Sequence, residues 1–272
     1  MSEIRERRAR GPAWLRALLA RRRVVPATAL VLRARTVRRS AAFVARELGR
    51  RSGPFAYTLR RGNAKVVVRH GSADVVTLGE VFHERDYEPP QEMPVLDPRL
   101  ILDLGANVGY FGVFALERWP GVQVIAYEPD PRNAAVHARA MELNGFGPRW
   151  QLRRAAAAAR AARLRFSASG DALAHASEAG DLTVEAEDVL PLVARAGLVK
   201  LDIEGGEWAI LADPRFAAHP PAAIVLEHHP HPAAGADPRR AALGHLRAAG
   251  LTATASIFGR ADGYGMLWAW QP

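Results

Sequence analysis

The chain has 272 residues, 49% of them hydrophobic, and a formal charge of +9. That length fits one domain, or one domain with an extension, and gives material for a large core. The absence of cysteine excludes a disulfide framework, a thiolate metal site and a cysteine nucleophile, and no stretch approaches the ~18 apolar residues of a membrane span.

The basic excess is concentrated at the start. Up to Arg61 the only acids are Glu3, Glu6 and Glu47, set against many arginines. Such an arm suits phosphate or an anionic surface, or is a solvated extension. Arg and Ala are frequent throughout, which fits the plainer reading. Residues 12–22 put Trp14, Leu15, Leu18 and Leu19 on one face of an amphipathic basic helix, able to lie on a membrane, a partner or its own domain. Residues 24–32 are apolar but short and lack a cleavage site, so a cytoplasmic protein is expected. A second helix is predicted over 36–50, stopped near Gly49. Residues 55–59 and 65–69 flank Arg61-Gly62-Asn63 as a hairpin. A helix over 75–82 follows, capped by Ser72 or Asp74. The segment that ends at Pro89-Pro90 is placed as a lid, with His83 and Tyr87 as candidate substrate contacts. The expected division is 1–54 as basic extension, 55–98 as hairpin and lid-like lead-in, and 99–272 as the main domain.

The run Ile101-Leu102-Asp103-Leu104-Gly105-Ala106-Asn107-Val108-Gly109 reads as a buried parallel strand leading through a tight turn into an apolar helix over 110–118. Glycines there let backbone come close to a ligand. The next strand ends in Glu128, nineteen residues past Gly109, near the ~20-residue offset at which such folds place an acid on a ribose diol. A dinucleotide turn needs glycine where Asn107 stands. S-adenosylmethionine, which has no phosphate, suits the pattern better: Asp103 near its cationic amino-acid end, the Gly105–Gly109 turn along the sulfonium arm, Glu128 on the ribose.

Further on, the sequence predicts a helix over 130–144, a strand over 150–153, an Ala/Arg-rich run over 154–163, and a small antiparallel insertion from 164–166 and 182–184. A strand over 198–204, a strand over 222–226, a helix over 238–249 and a closing hairpin from 251–258 and 264–270 complete a β-α alternation. Strand ends then bring Gly105, Glu128, Lys200, Asp202, Glu204, Glu227, His228 and His229 to one edge. Lys200 beside Asp202 and Glu204 is either a paired ion cluster or a proton-handling group. Adjacent histidines in extended chain point apart, so no metal site is expected from Glu227, His228 and His229.

These motifs resemble the FkbM family of S-adenosylmethionine-dependent methyltransferases. The similarity rests on the Asp103–Gly109 turn, on Tyr127-Glu128-Pro129-Asp130-Pro131, and on Leu198-Val199-Lys200-Leu201-Asp202-Ile203-Glu204-Gly205-Gly206-Glu207. It runs from about residue 65 to the end. It implies a Rossmann-like class I methyltransferase fold: a mostly parallel seven-stranded sheet with a C-terminal antiparallel hairpin. It also implies O-methylation of a sugar or secondary-metabolite hydroxyl. The cofactor set would be Asp103, Gly105, Asn107, Gly109, Glu128 and Asp130. Asp202 or His228 would be the base, oriented by Lys200 and Glu204. Glu207 would fix the loop and stand with Glu227, His83 and Tyr87 on the substrate side. Two other readings are a nucleic-acid-associated methyltransferase and a non-catalytic S-adenosylmethionine-binding protein. The first is disfavoured, because the chain lacks an Asn-Pro-Pro-Tyr-like motif and its arm has few aromatics for base stacking.

Overall fold

A computed structural model describes residues 27–49, 53–167, 175–176 and 182–272. The helix expected over 12–22 lies outside them. Helices α1 (Ala27–Ala34) and α2 (Ser40–Leu48) precede a hairpin of β1 (Pro54–Thr58) and β2 (Lys65–Arg69), and α3 (Asp74–Gly79) continues into a π-helical turn, Glu80–Glu84. The alternating part is β3 (Leu100–Leu104), α4 (Tyr110–Arg118), β4 (Gln123–Tyr127), α5 (Pro131–Asn144) and β5 (Trp150–Arg153). An insertion follows, made of β6 (Ala156–Ala158), β7 (Ala162–Ser167), β8 (His175–Ala176) and β9 (Leu182–Asp188). The chain closes with α6 (Leu190–Val193), β10 (Leu198–Leu201), α7 (Glu207–Ala212), α8 (Pro214–Ala218), β11 (Ala223–His228), α9 (Pro238–Ala248), β12 (Ala253–Gly259) and β13 (Gly265–Trp270). Among the described residues no helix is long and apolar enough to cross a membrane.

The main sheet has the order β12-β13-β11-β10-β3-β4-β5. Strands β5, β4, β3, β10 and β11 are parallel, and β13 runs antiparallel between β11 and β12. This is the seven-stranded arrangement expected from the sequence. The chain reverses its direction of travel across the sheet between β3 and β10, and ligands in open α/β sheets settle beyond the carboxyl ends of strands at such a point. Residues of both faces are apolar. Ile101, Val124, Val225 and Trp268 join one core with α4, α5, the hairpin and the two N-terminal helices. Leu102, Leu104, Val199, Leu201 and Leu226 join the other, under α6 to α9. Because Leu30, Phe43 and Val66 belong to the first core, α1, α2 and the hairpin pack as part of the sheet's cover.

Local differences from the sequence reading have physical reasons. The α-helix expected over 75–82 stops at Gly79, where the Arg33 side chain occupies the space a Cβ would need, and Arg85 (φ 59°) closes the π turn. Asp74 does not cap α3 with its side chain. It is fully buried and takes both guanidinium nitrogens of Arg69 (2.7 and 2.9 Å) and the Arg69 backbone N–H (2.9 Å), while its own N–H donates to Ser72 Oγ. The Ala/Arg run contains β6, which pairs in parallel with β9 in a separate four-stranded sheet, β6-β9-β7-β8. Helix α5 does follow the sequence: Asp130 accepts from Arg132 N–H at its start, and Gly145 ends it in the left-handed region.

Removing one partner of a buried, hydrogen-bonded ion pair leaves the other uncompensated. We therefore expect Asp74→Ala to lower unfolding free energy by about 3 kcal/mol in urea denaturation. A loss below ~1 kcal/mol, the worth of an exposed pair, would show that the hairpin and α3 are not held together this way.

Candidate functional site

Register builds the centre of the site. Lys200 of β10 stands beside Asp103 of β3 in the parallel ladder, so their side chains share a face. The ammonium lies 3.6 Å from Asp103 Oδ1 and 3.1 Å from Asp202 Oδ2, and donates to the Gly105 carbonyl. Asp103 is fully buried and does not reach the cavity; its expected place beside a ligand is taken by this contact. Burial pulls the Lys200 pKa down, but the Asp202 and Asp103 carboxylates outweigh it and the ammonium is held charged. Burial lifts Asp103 to about 6 against the pull of Lys200.

A cavity of about 680 Å³ opens beyond these strand ends. One wall is the turn after β3. Gly105 (φ 84°) is needed because a Cβ there would lie 1.7 Å from the Asp202 carbonyl oxygen. Gly109 (φ 87°) is likewise bare against the His137 ring. Both glycines thus admit neighbouring chain on one side, while Gly105 also lines the cavity. Asn107 adopts φ 48° and its N–H donates to Glu128 Oε2 at 2.7 Å; Asp130 N–H donates to Glu128 Oε1 at 2.8 Å. The Glu128 carboxylate is thereby fixed at the cavity wall, and burial raises its pKa to about 7 despite both bonds. The Asn107 side-chain oxygen is buried with no partner among the described residues. Asp130 is fully buried, caps α5 and does not line the cavity.

The opposite wall carries the second cluster. Glu207 is fully buried; it accepts from Gly205 N–H (2.7 Å), His229 N–H (2.9 Å) and His229 Nδ1 (2.9 Å). It positions His229 and does not line the cavity. That bond turns His229 Nε2 toward Glu204 Oε2 (3.5 Å) and Asp202 Oδ1 (3.8 Å). Burial alone would lower the His229 pKa, yet Glu207, Asp202 and Glu204 bring it to about 9. Glu204 rises to about 7 through burial and the charge of Asp202. Glu227 and Glu80 line the same cavity; burial, Asp202 and their mutual repulsion push Glu227 well above the usual carboxylate range, and Glu80 reaches about 7.

The two histidines part ways as expected, but the functional partner is the second. His228 is still in β11, opposite Gly265 of β13; its ring fills the space left by that glycine and its Nδ1 meets the Gly263 carbonyl at 3.1 Å. It therefore cannot serve the cavity as a base. Of the other candidates, Tyr87 lines the cavity, its ring tilted against Phe111, whereas His83 is exposed and faces a different groove with Arg35, Arg60 and Arg85. Sequence reading missed Glu80, and the alanine wall Ala156 to Ala159. Glu80 had no strand-end signal, and the alanines looked like compositional bias.

A family model for the methyltransferase FkbM domain matches residues 103–250, over half the chain. The chain belongs to the FkbM methyltransferase family. Members of this family use S-adenosylmethionine as methyl donor. Among solved structures, the FkbM methyltransferase of Methylobacillus flagellatus KT is similar at 14% identity and TM-score 0.50, over 93% of this chain and 60% of that one. This FkbM chain thus spans about three-fifths of that relative's length. M. jannaschii TYW2 in complex with AdoMet gives 11% identity and TM-score 0.45, over 80% of this chain and 86% of that one. P. horikoshii TYW2 in complex with MeSAdo gives 13% and 0.43, over 85% and 80%. No curated protein matches the chain.

His137 packs under the turn, fully buried, with its ring 4.9 Å from Trp150. Burial holds its pKa down to about 3. Above pH ~6.5 folded and unfolded chains are both neutral here; as pH falls, only the unfolded chain takes up the proton, until the folded group titrates near 3. Stability should thus fall by up to ~1.4 kcal/mol per pH unit from this group between pH 6 and 4. In His137→Leu that share of the slope should vanish from denaturant midpoints taken across the range; equal slopes would mean that His137 is not the source.

Proposed function

We propose that the chain transfers a methyl group from S-adenosylmethionine to a hydroxyl of a small molecule, a sugar or a secondary-metabolite scaffold. The observation that carries this reading is that one cavity has two unlike walls. One is the Gly105–Gly109 turn with Glu128. The other is Lys200, Asp202 and Glu204, with His229 buried behind the two carboxylates.

The residues present fit the donor. A buried Asn107 oxygen without a partner and a carboxylate fixed by two backbone N–H groups are what a polar ribose and amino-acid tail would complete. When bound, the donor supplies an electrophilic methyl on a sulfonium. Glu128 would accept from the ribose hydroxyls, each of its oxygens having a free lone pair beyond its backbone bond. Asp103 acts at one remove, by holding Lys200 where it fixes Asp202 and the Gly105 carbonyl. At the other wall Asp202, partly open to the cavity, takes the proton from the acceptor hydroxyl. Lys200 orients that carboxylate and His229 borders it. Tyr87 and Phe111, with Leu164 and Phe166 of the insertion, supply apolar surface that excludes water.

Replacing Glu128 by Ala should weaken S-adenosylmethionine binding at least tenfold by isothermal titration, with smaller effect on turnover at saturating donor. Equal affinity would remove Glu128 from the ribose. Asp202→Asn should keep donor affinity within about threefold but lower kcat by 10²–10⁴, the usual worth of a general base. Mass spectrometry for one added methyl across candidate hydroxylated metabolites reads both the reaction and the acceptor. Donor binding without methylation of hydroxylated compounds, but with methylation of amines, would overturn the O-methyl assignment.

A further inference from the structure

We infer that Asp202, Glu204 and His229 hold a divalent metal ion at the acceptor end of the cavity. The three donor atoms lie within 4.8 Å of one another. Two ligands each ~2.1 Å from a tetrahedral ion stand about 3.4 Å apart. The distances from His229 Nε2, 3.5 Å to Glu204 Oε2 and 3.8 Å to Asp202 Oδ1, need only small adjustment to that spacing. Glu204 brings its carboxylate there from a left-handed backbone position, φ 54°.

The outer partner is of the kind a metal-bound histidine uses. Glu207, fully buried, accepts a hydrogen bond from Nδ1–H, which leaves Nε2 facing the two carboxylates, where an ion would displace the Nε2 proton. Glu207 is itself anchored by the N–H groups of Gly205 and His229. Two oxygens and one imidazole nitrogen suit Mn²⁺, Fe²⁺ or Zn²⁺.

Independently, acids outnumber bases along the cavity: among the described residues Lys200 and Arg160 face Glu80, Glu128, Asp202, Glu204, Asp213 and Glu227. Glu227 and Glu80 line it with no hydrogen bond or salt bridge among the described residues, beside Asp202 and Glu204. Lys200 is already engaged with Asp103, Asp202 and a carbonyl. A chain of formal charge +9 therefore encloses an anionic cavity. An ion at this spot would neutralise part of the excess and make an adjacent hydroxyl more acidic, so the inference rests on the methyl-transfer reading and names how its acceptor end is completed.

The test is binding, not turnover. Full-length protein, stripped with EDTA and dialysed, is titrated with Mn²⁺ at pH 7.5 by calorimetry and by the loss of the free-ion electron paramagnetic resonance signal, and then with Zn²⁺ by calorimetry. One ion per chain is expected, with affinity at least tenfold lower in His229→Ala and in Glu204→Gln. Glu207→Gln should cost about tenfold through loss of orientation. S-adenosylmethionine is titrated into every variant. Retained donor binding shows that the variant is folded, and separates failure of the ion site from failure of the methyl-donor reading. No binding of either ion by the parent, or equal ion affinity in parent and in variants that still bind the donor, overturns the proposal.

Discussion

The site depends on one buried ammonium. Lys200 sits in the middle of a strand, where an apolar residue would normally be, and its charge is tolerated because Asp103, Asp202 and the Gly105 carbonyl surround it. That single group ties β3, the turn after it and the exit of β10 together at the point where the sheet changes direction. The turn keeps its shape because Lys200 holds the Gly105 carbonyl on one side and Glu128 holds the Asn107 N–H on the other. The wall formed by the turn after β3 and the wall formed by Lys200 and Asp202 are therefore not independent pieces. Each is positioned by bonds that share the same strand ends.

The main sheet was legible in the sequence because its signal is periodic and local. Residues 100–104 and 198–201 are apolar runs with polar residues only where the ladder later brings Asp103 and Lys200 side by side. Caps and turn glycines marked α5 and the two hairpins. What could not be read was pairing across long separations. Nothing near Gly79 indicates that Arg33 will lie against it, so the π turn was read as more helix. Nothing local says that Ala156 to Ala158 will run beside β9.

The same limit applies to the site. Alternation correctly separated His228 from His229, but choosing between them required knowing where β11 stops pairing, and it stops after His228. Asp103 was expected beside the donor's amino-acid end, and Glu207 was expected to fix the loop and stand on the substrate side; the structure pairs Asp103 with Lys200, and Glu207 with the loop residue Gly205 and with His229. Glu128 and Asn107 do lie together at the cavity wall, since a strand end and its following turn fix both positions without distant information.

One wall of the cavity is built almost wholly from methyl groups: Ala156 to Ala159, carried by the short strand β6 and the residue that follows it. Its bore on that side is thus defined by main chain rather than by side chains. Such a surface is easy to remodel, because enlarging any one alanine narrows the chamber while leaving the charged rim on the main sheet as it stands. Chamber width on this side and the charged rim are in this way carried by separate sheets, so the one can change while the other stays as it is.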